Sequence, residues 1–460
     1  MSKRIHFIAI GGAAMHNLAL ALHQKGFNVS GSDDEINEPS KTRLANAGIL
    51  PPQIGWFPEK ITKELDGVIL GMHARADNPE LLKAQEIGMP VYSYPEYLYE
   101  HSKDKTRVVI GGSHGKTTIT AMILHVLKGL GRDFDYMVGA KLEGFDTMVR
   151  LSNAPLIILE GDEYLSSPVD RRPKFHLYHA EIALISGIAW DHINVFPTYD
   201  MYVEQFRIFA NQIPATGKLI YCQNDAEVKL VAESDSVKAK RIPYSIPENE
   251  IVNGITYLHT KEGKVALAVF GEHNLQNLEG ARNVCEQIGV DASTFYKAIS
   301  TFTGAARRLE LLGRNESVAV YKDFAHSPSK LKATTNAVRS QFPDRKLIAC
   351  MELHTFSSLN EDFLAQYAGS MDDADEKIVY FNPHTIAHKK LKEITPEMVK
   401  KAFSNEDIKV YTDSAILQKD LLAHTKGKRV FLMMSSGTFD GMSLENLTST
   451  LIESNQGVHL

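Results

Sequence analysis

The chain has 460 residues, 43% of them hydrophobic and 23% charged, which is ordinary for globular proteins and enough for about two to four domains. Its formal net charge of −6 argues against a general affinity for nucleic acid or an anionic membrane, and no apolar run approaches the roughly 20 residues that span a bilayer. The three cysteines are far apart, which argues against a disulfide framework or a thiolate metal site, and without a recognisable signal peptide we expect a cytoplasmic protein.

Short β-rich apolar runs alternate with helical patterns through most of the chain, which indicates an α/β fold with largely parallel sheets. We divide the sequence into three blocks, at residues 1–104, 105–303 and 304–460. In the first block, Gly11 and Gly12 turn the chain from a strand into a helix. The strands predicted there are residues 6–10, 28–32 and 67–72, and the helix is residues 15–24.

The second block opens on a strand, a glycine-rich turn and a helix, and the third alternates strands with helices. In the second block we predict strands at residues 107–110, 156–160, 182–188 and 218–222, and a helix at residues 117–130. Residues 232–265 mix charges with short β-like runs and receive no assignment. In the third block we predict strands at residues 318–321, 346–351, 377–381, 409–411 and 429–433, and helices at residues 330–342 and 396–403.

A nucleotide phosphate loop is predicted where the first strand of the second block ends. Its residues are Gly112, Ser113, His114, Gly115, Lys116, Thr117 and Thr118. Glycines let backbone N–H groups approach phosphate oxygens, and the helix N-terminus adds partial positive charge. Lys116 can reach the β and γ phosphates, and the Thr117 hydroxyl can ligate Mg²⁺. The spacing GxxGKT is shorter than the common GxxxxGK[ST], so a helix start with an exposed lysine is the structural alternative.

Seven segments, in chain order, resemble those of the Mur ligases, the amide-forming enzymes of peptidoglycan synthesis. They are the opening IHF with GG and a following Met from residue 5, GSHGKTT at residues 112–118, EGDE at 160–163, DH at 191–192, GEHNLQN at 271–277, FTG with RR at 302–308, and DFAH at 323–326. The resemblance implies three domains: a Rossmann-like UDP-sugar domain, a P-loop ATPase-like central domain and a Rossmann-like acceptor domain. It also implies amide ligation that consumes ATP and releases ADP and phosphate.

ATP and Mg²⁺ are the cofactors that the resemblance implies. It assigns catalysis to Lys116, Glu160, His192 and Arg308, and metal ligation to Thr117, Glu160 and His192. Besides the phosphate loop, it assigns ATP contacts to Asn274, Asn277, Arg308 and Asp323. From the residues alone, Glu160 is a strand-end acid of the kind that faces a crevice. Imidazole is not the ligand that chemistry predicts first for magnesium, and helix capping would equally explain Asn274.

Several positions depart from the family pattern or have weaker roles. Arg207 lies in the region where some Mur ligases carry a carbamylated lysine, and arginine cannot be modified in that way. Asp162 and Glu163 are expected to be supporting or surface groups. Ala9 and Ala14 occupy positions where relatives usually have glycine, so the dinucleotide fingerprint is not met.

UDP-N-acetylmuramate is the sugar substrate that the resemblance implies, with an amino acid or peptide as the acceptor. The residues assigned to substrates are Gly11, Gly12, Asp33 and His326. A surface turn would explain Asp33 equally well, and a polar turn after a strand would explain Asp323 and His326. We expect no nucleic-acid or membrane partner, and a monomer or weak homo-oligomer.

Two acceptors fit the resemblance. Some family members add L-alanine, and others join the recycled tripeptide L-Ala-γ-D-Glu-meso-diaminopimelate. Residues 433–441, MMSSGTFDG, look more like MSNGxFGG of the tripeptide ligases than like GAGDI of the alanine ligases. Residues 352–358, ELHTFSS, are intermediate. The sequence therefore favours the tripeptide and peptidoglycan recycling, with L-alanine as the alternative.

Proteins of other classes explain less of the chain. A folate polyglutamylating ligase shares the central block but does not explain residues 1–100, and a nicotinamide dehydrogenase does not explain Lys116 and Thr117. A regulator that binds ATP without catalysis is the non-enzyme alternative. The presence of Lys116, Glu160, His192 and Arg308 together argues against it.

Overall fold

The computed structural model describes residues 2–191, 195–252, 254–305, 308–404 and 406–453. It divides into two compact units. Unit 1 comprises residues 1–245 and 277–298, and unit 2 comprises residues 246–276 and 299–460. The chain therefore leaves unit 1, returns to it for one helical stretch, and leaves it again.

A four-stranded parallel sheet begins unit 1. Its strands are β1 (Arg4–Ile8), β2 (Asn28–Ser32), β3 (Gly67–Leu70) and β4 (Val91–Ser93), in the order β2-β1-β3-β4. The helices among them are α1 (Ala13–Gln24), α2 (Ser40–Asn46), α3 (Pro79–Glu86) and α4 (Tyr94–Ser102). Proline in the first turn and a side-chain cap start both α3 and α4, with a Ser93–Glu96 capping box on α4.

A seven-stranded sheet forms the rest of unit 1. Its strands are β5 (Thr106–Gly111), β6 (Asp135–Met137), β7 (Val149–Arg150), β8 (Leu156–Glu160), β9 (Ile182–Ile185), β10 (Lys218–Cys222) and β11 (Lys240–Tyr244). The order is β11-β10-β9-β5-β8-β6-β7, and only the pairing of β7 with β6 is antiparallel. Because β5 lies between β8 and β9, the loop after β5 opens at the carboxyl edge, beside the ends of both neighbours.

Helices cover this second sheet. They are α5 (Lys116–Gly129), α6 (Lys174–Leu177), α7 (Tyr199–Gln212), α8 (Ala226–Ala232), α9 (Glu272–Gln287) and α10 (Ala292–Ile299). Strand β5 is buried from its second residue, and α5 buries most of its length against the sheet. The core is aromatic near α7, where Phe175, Phe206 and Phe209 stack or meet edge to face.

Unit 2 contains an antiparallel sheet and a mixed one. The first consists of β12 (Asn249–Val252), β13 (Ile255–Thr260) and β14 (Gly263–Leu267). The second consists of β15 (Glu310–Arg314), β16 (Val318–Asp323), β17 (Lys346–Leu353), β18 (Glu376–Phe381), β19 (Lys409–Tyr411) and β20 (Arg429–Met434). Its order is β15-β16-β20-β17-β18-β19, parallel except for β15. The helices are α11 (Pro328–Gln341), α12 (Glu361–Leu364), α13 (Pro383–His388), α14 (Pro396–Ala402), α15 (Ser414–Leu422) and α16 (Leu444–Glu453).

The α/β class and the parallel sheets predicted from the sequence are confirmed. The largest shift of a predicted strand is at β9, which ends at Ile185 rather than at residue 188, and the first strand ends at Ile8 rather than at residue 10. Ala9 adopts a left-handed φ of 66° that takes the chain out of the sheet. The unassigned residues 232–265 hold β11, β12, β13 and the start of β14. Among the described residues, the structure contains no helix with the length and apolarity needed to cross a bilayer.

Candidate active site

The predicted phosphate loop lies at the carboxyl edge of the seven-stranded sheet, between β5 and α5. Ile110 pairs with Glu160 of β8 on one side, and Gly111 pairs with Ile185 of β9 on the other. The loop therefore lies beside an acidic strand end and a neutral one. Helix α5 begins at Lys116, so its first backbone N–H groups point into the loop.

Two glycines of the loop have geometry that other residues would strain. Gly112 has φ of 132°, and a Cβ there would lie 2.1 Å from Ser186 Oγ. Gly115 has φ of 78°, and a Cβ there would lie 2.3 Å from Asn277 Oδ1. Both are conformations that glycine adopts without steric cost, so the loop requires glycine at these two places.

The Lys116 ammonium is anchored inside the loop. Its Nζ donates to the carbonyl oxygen of Gly112 at 2.6 Å and to Glu163 Oε2 at 2.5 Å. The Lys116 side chain is 13% exposed and that of Glu163 only 1%. Burial opposes protonation, but the carboxylates of Glu163, Asp162 and Glu160 raise the pKa of Lys116. The lysine is therefore charged, and its ammonium is held between the Gly112 carbonyl and the Glu163 carboxylate.

Thr117 and Glu160 form a pair of oxygen donors beside the lysine. The Thr117 hydroxyl donates to Glu160 Oε1 at 2.7 Å, and the Gly139 N–H donates to Glu160 Oε2 at 2.8 Å. Burial, followed by the negative charge of Asp162, raises the pKa of Glu160. A buried carboxylate beside a second negative charge is stabilised by a nearby cation.

The remaining loop residues fasten the loop to the strand end after β9. Ser113 N–H donates to the Gly187 carbonyl at 2.9 Å, and Ala189 N–H donates to Ser113 Oγ at 2.8 Å. The Ser186 hydroxyl donates to the His114 carbonyl oxygen. Thr118 is buried in the first turn of α5. The segment leads on to Asp191; the predicted metal ligand His192 lies outside the described residues.

A second lysine balances the acids of the site. Lys174 Nζ lies 3.0 Å from Asp162 Oδ2 and 4.2 Å from the centre of the Tyr164 ring. Although burial opposes it, Lys174 and then Lys116 lower the pKa of Asp162. Glu160, Asp162 and Glu163 thus share two ammonium groups. Glu163 was expected to be a supporting or surface group, and the structure places it directly on Lys116.

The two asparagines of α9 occupy different places. Asn277 lies against Gly115, at the phosphate loop of unit 1. Asn274 belongs to unit 2, where its Nδ2 donates at 2.9 Å to the carbonyl of Phe270, two residues before the helix begins. Asn277 is therefore the one that the structure brings to the loop.

The N-terminal glycine turn lines a cavity of about 590 Å³ in unit 1. Gly11 N–H donates to Asp33 Oδ2 at 2.6 Å, and a Cβ on Gly11 would lie 2.9 Å from the same oxygen. Burial raises the pKa of Asp33. Gly11, Gly12 and Asp33 all line the cavity, and one oxygen of Asp33 is used to hold the turn.

The same cavity contains a basic group that sequence reasoning missed. The His16 ring lies between Gly12 O and Ser40 Oγ on its Nδ1 side, at 2.9 and 3.0 Å, and Arg43 Nη1 on its Nε2 side, at 3.0 Å. Burial, with a contribution from Arg43, lowers the pKa of His16. A neutral ring with its proton on Nδ1 donates to the Gly12 carbonyl and accepts from Arg43 at Nε2. No local pattern signals this arrangement, since Arg43 comes from the next helix.

In unit 2, the predicted residues lie around the end of β16. Asp323 accepts the N–H of Leu309 at 2.7 Å and that of Ala325 at 2.6 Å, and burial raises its pKa. The Arg308 guanidinium lies 4.7 Å from the centre of the Phe324 ring. His326 lies beside them, with Nδ1 at 2.8 Å from the Phe324 carbonyl. Asp323 thus fixes the backbone turn that carries Arg308.

Arg207 contributes to a surface network rather than to the loop. Its guanidinium lies 3.4 Å from Glu204 and 3.5 Å from Glu227, and its side chain is 47% exposed. Both partners are acids of α7 and α8.

Known proteins match this chain over most of its length. The Mur ligase family catalytic domain matches residues 4–106, the Mur ligase middle domain residues 110–285, and the Mur ligase glutamate ligase domain residues 307–437. A UDP-N-acetylmuramate–L-alanine ligase of Sulfurihydrogenibium is 31% identical over 386 residues, 82% of each chain. A murein peptide ligase of Psychrobacter arcticus superimposes with a TM-score of 0.63 and 24% identity over the whole of both chains. A UDP-N-acetylmuramate–alanine ligase of Thermotoga maritima gives 0.70 and 19% identity over 98% of this chain and 99% of that one.

Proposed function

This chain belongs to the Mur ligase family, and from that premise we propose that it joins UDP-N-acetylmuramate to the tripeptide L-Ala-γ-D-Glu-meso-diaminopimelate. Members of the family are ATP-dependent, ADP-forming amide ligases. The observation that carries the nucleotide half of the proposal is the buried phosphate loop, with Lys116 and Glu160 held at its mouth.

In the proposed reaction, a carboxylate oxygen of the sugar attacks the γ-phosphorus of ATP, the bond to the β-phosphate oxygen breaks, and ADP leaves. The acceptor amine then attacks the acyl phosphate, loses a proton and expels inorganic phosphate as the amide forms. Lys116 would pair with the terminal phosphates and offset charge that builds up on them. The turn held by Asp323 would present Arg308 to the γ-phosphate.

Magnesium is the metal that these donors suit. Thr117 and Glu160 offer two oxygens 2.7 Å apart at the loop, and the raised pKa of Glu160 favours a bound cation. Mg²⁺ at that place would neutralise phosphate charge. We assign Thr117 and Glu160 to the metal, with His192 as the ligand implied by the family resemblance.

The cavity at Gly11 and Gly12 is our candidate for the UDP-sugar site. Its volume of about 590 Å³ suits a ligand of that size. Arg43 and Lys141 bring cationic side chains to a lining that also holds five carboxylates, Asp33, Asp34, Glu35, Glu38 and Asp146. Arg43 and Lys141 are the side chains that would pair with a diphosphate. We assign the first domain, residues 1–104, to the sugar nucleotide, with Lys141, Asp146 and Met148 of the second block completing the lining, and residues 105–303 to ATP.

The choice of the tripeptide rests on residues 433–441. This loop follows β20 at the carboxyl edge of the six-stranded sheet and is built around the buried carboxylate of Glu352. Glu352 accepts the Ser435 hydroxyl and, at 2.8 Å, the Phe439 N–H. Phe439 and Asp440 both have left-handed backbones, with φ of 49° and 58°. A loop that holds two such residues has a defined shape, and we assign acceptor recognition to it and to residues 304–460 generally.

L-Alanine is the second candidate acceptor. The observation that favours it is that relatives 28–31% identical to this chain are named UDP-N-acetylmuramate–L-alanine ligases. That reaction would use the same ATP and sugar sites and would differ only in the amine.

The acceptor comparison tests the proposal. The purified protein is given ATP, Mg²⁺ and UDP-N-acetylmuramate with either the tripeptide or L-alanine, and ADP release is followed. We expect release to be much faster with the tripeptide. Equal rates, or a faster rate with L-alanine, would reject the tripeptide assignment.

A substitution tests the nucleotide half separately. Lys116→Ala should abolish ADP formation because the cation at the terminal phosphates is lost, while circular dichroism stays unchanged. Lys128→Ala is the matched control, since Lys128 lies on the last turn of the same helix and contacts Gly144 and Phe145. Wild-type turnover by Lys116→Ala would overturn the assignment of the loop.

A further inference from the structure

The Glu163 carboxylate that anchors Lys116 is itself held by a second buried side chain. The Tyr202 hydroxyl donates to Glu163 Oε1 at 3.1 Å, while Glu163 Oε2 accepts from Lys116. Glu163 is 1% exposed and Tyr202 is fully buried. Since both carboxylate oxygens have defined partners, the position of Glu163 is fixed by the protein before any nucleotide binds.

Tyr202 is in turn oriented by the phosphate loop. Its oxygen lies 2.8 Å from Ser113 Oγ, and because Tyr202 donates its own proton to Glu163, the Ser113 hydroxyl is the donor here. Ser113 Oγ accepts the Ala189 N–H at 2.8 Å. The hydrogen bonds therefore form a continuous series that links Ala189, Ser113, Tyr202, Glu163 and Lys116. Each bond in the series has one donor and one acceptor.

Without this series of hydrogen bonds, the Lys116 side chain could adopt other positions and pair with other carboxylates. Three carboxylates surround it, and its side chain has four rotatable carbons whose freedom must be lost when it binds phosphate. An ammonium has three N–H groups, of which Gly112 O and Glu163 Oε2 account for two. Fixing those two directions leaves the third N–H for a phosphate oxygen.

We propose that Tyr202 is a positioning residue for Lys116, acting through Glu163, and that this line sets the affinity for the terminal phosphates of ATP. The inference rests on the proposed function of the loop as an ATP site. We assign Tyr202 no direct contact with nucleotide or sugar. It holds the Lys116 side chain in place before the nucleotide binds, which lowers the conformational entropy that the side chain loses on binding.

The first test removes only the hydroxyl. In Tyr202→Phe the ring keeps its edge-to-face contacts with Phe196 and Phe206, so we expect the protein to fold normally. The dissociation constant for the Mg²⁺ complex of adenylyl imidodiphosphate, measured by calorimetry, should rise about fivefold, as loss of one buried hydrogen bond predicts. KM for ATP should rise with it, while KM for UDP-N-acetylmuramate stays within twofold.

Tyr199→Phe is the matched control. Tyr199 lies one turn earlier on α7, and its hydroxyl bonds to Glu227 rather than to the loop. It should leave every one of these constants unchanged. A Tyr202→Phe variant whose analogue affinity stays within twofold of this control would overturn the proposal.

A double-mutant cycle separates positioning from packing. In a Glu163→Ala background the line to Lys116 is cut, so adding Tyr202→Phe should cause no further loss of analogue affinity. The same fivefold loss in both backgrounds would mean that Tyr202 does not act through Glu163. The binding measurements need neither sugar nor acceptor. A wild-type protein that binds the analogue but forms no ADP would therefore refute the proposed ligase reaction and leave the Tyr202 comparison decisive.

Discussion

A single methyl group at Gly115 tests the geometry of the phosphate loop. The left-handed backbone there costs a non-glycine residue about 1–2 kcal/mol. The new Cβ would also lie 2.3 Å from Asn277 Oδ1, so the amide must move, at a further cost of about 1 kcal/mol. Alanine restricts the unfolded chain and returns about 0.4–1 kcal/mol. We expect Gly115→Ala to lower the free energy of unfolding by about 2 kcal/mol.

The assay is urea unfolding followed by far-ultraviolet circular dichroism, together with ADP binding by calorimetry. Displaced N–H groups should weaken ADP binding by at least about tenfold, because the loop backbone is the phosphate cradle. Gly129→Ala is the control. Gly129 is the last residue of α5, a Cβ there meets nothing within 4 Å, and alanine should stabilise the helix by about 0.5–1 kcal/mol.

An Asn277→Ala background divides the cost into its two parts. With the amide removed, Gly115→Ala should cost only the backbone strain, about 1 kcal/mol. If Gly115→Ala is as stable as Gly129→Ala and binds ADP with wild-type affinity, neither the clash with Asn277 nor the left-handed backbone costs free energy. That result would refute the prediction.

Three further outcomes are expected. Ala9→Gly should leave the melting temperature unchanged or raise it, because glycine relieves the left-handed φ of 66°, whereas Ala9→Val should lower it. Burial raises the pKa of Glu376, but hydrogen bonds from Lys409, Lys346 and His424 outweigh burial and lower the pKa from 4.5 to about 2. A lowered carboxylate pKa stabilises the fold above the unfolded value, so Glu376→Gln should cost about 1–3 kcal/mol at pH 7. That difference from wild type, measured by urea unfolding, should vanish as pH falls from 4.5 towards 2. Glu160→Gln should abolish the gain in ADP affinity that Mg²⁺ gives the wild type over EDTA, and an undiminished gain would remove Glu160 from the metal site.

Local sequence patterns located most of the strands because buried parallel strands are short apolar runs with polar boundaries. Residues 28–32, 156–160, 218–222 and 409–411 form the strands predicted there, without a shift of either end. Strands β1, β3 and β9 end two or three residues before the predicted ends. At β1 the cause is the left-handed backbone of Ala9, which composition does not reveal. Family membership was also correctly inferred, because it depends on several ordered segments rather than on one.

Contacts between distant residues were beyond local patterns. Glu163 reaches Lys116 across 47 residues, and Tyr202 reaches Ser113 across 89. For Glu163 the sequence contained one signal of a role at the site, its position in the EGDE segment. For Tyr202 the sequence contained no such signal. Asp33 was predicted as a ligand contact, and its carboxylate also accepts the backbone N–H of Gly11. The sequence alone does not distinguish an acid that holds a turn in this way from an acid in a surface turn. The three domain boundaries stay predictions, because the two compact units divide the chain differently, at residues 246, 277 and 299.

The short spacing of the phosphate loop has a structural explanation in its neighbours. The common pattern has four residues between its two glycines, whereas this loop has only two residues between Gly112 and Gly115. Hydrogen bonds from Ser113 and Ser186 fix the two intervening residues to the strand end after β9, and Asn277 closes the other side. Because external contacts supply the shape, loosening them should change nucleotide affinity even where no phosphate contact is touched. Ser186→Ala, which removes one such hydrogen bond and leaves the loop sequence intact, should therefore weaken ADP binding by about three- to tenfold. Unchanged affinity would show that the two glycines shape the loop alone.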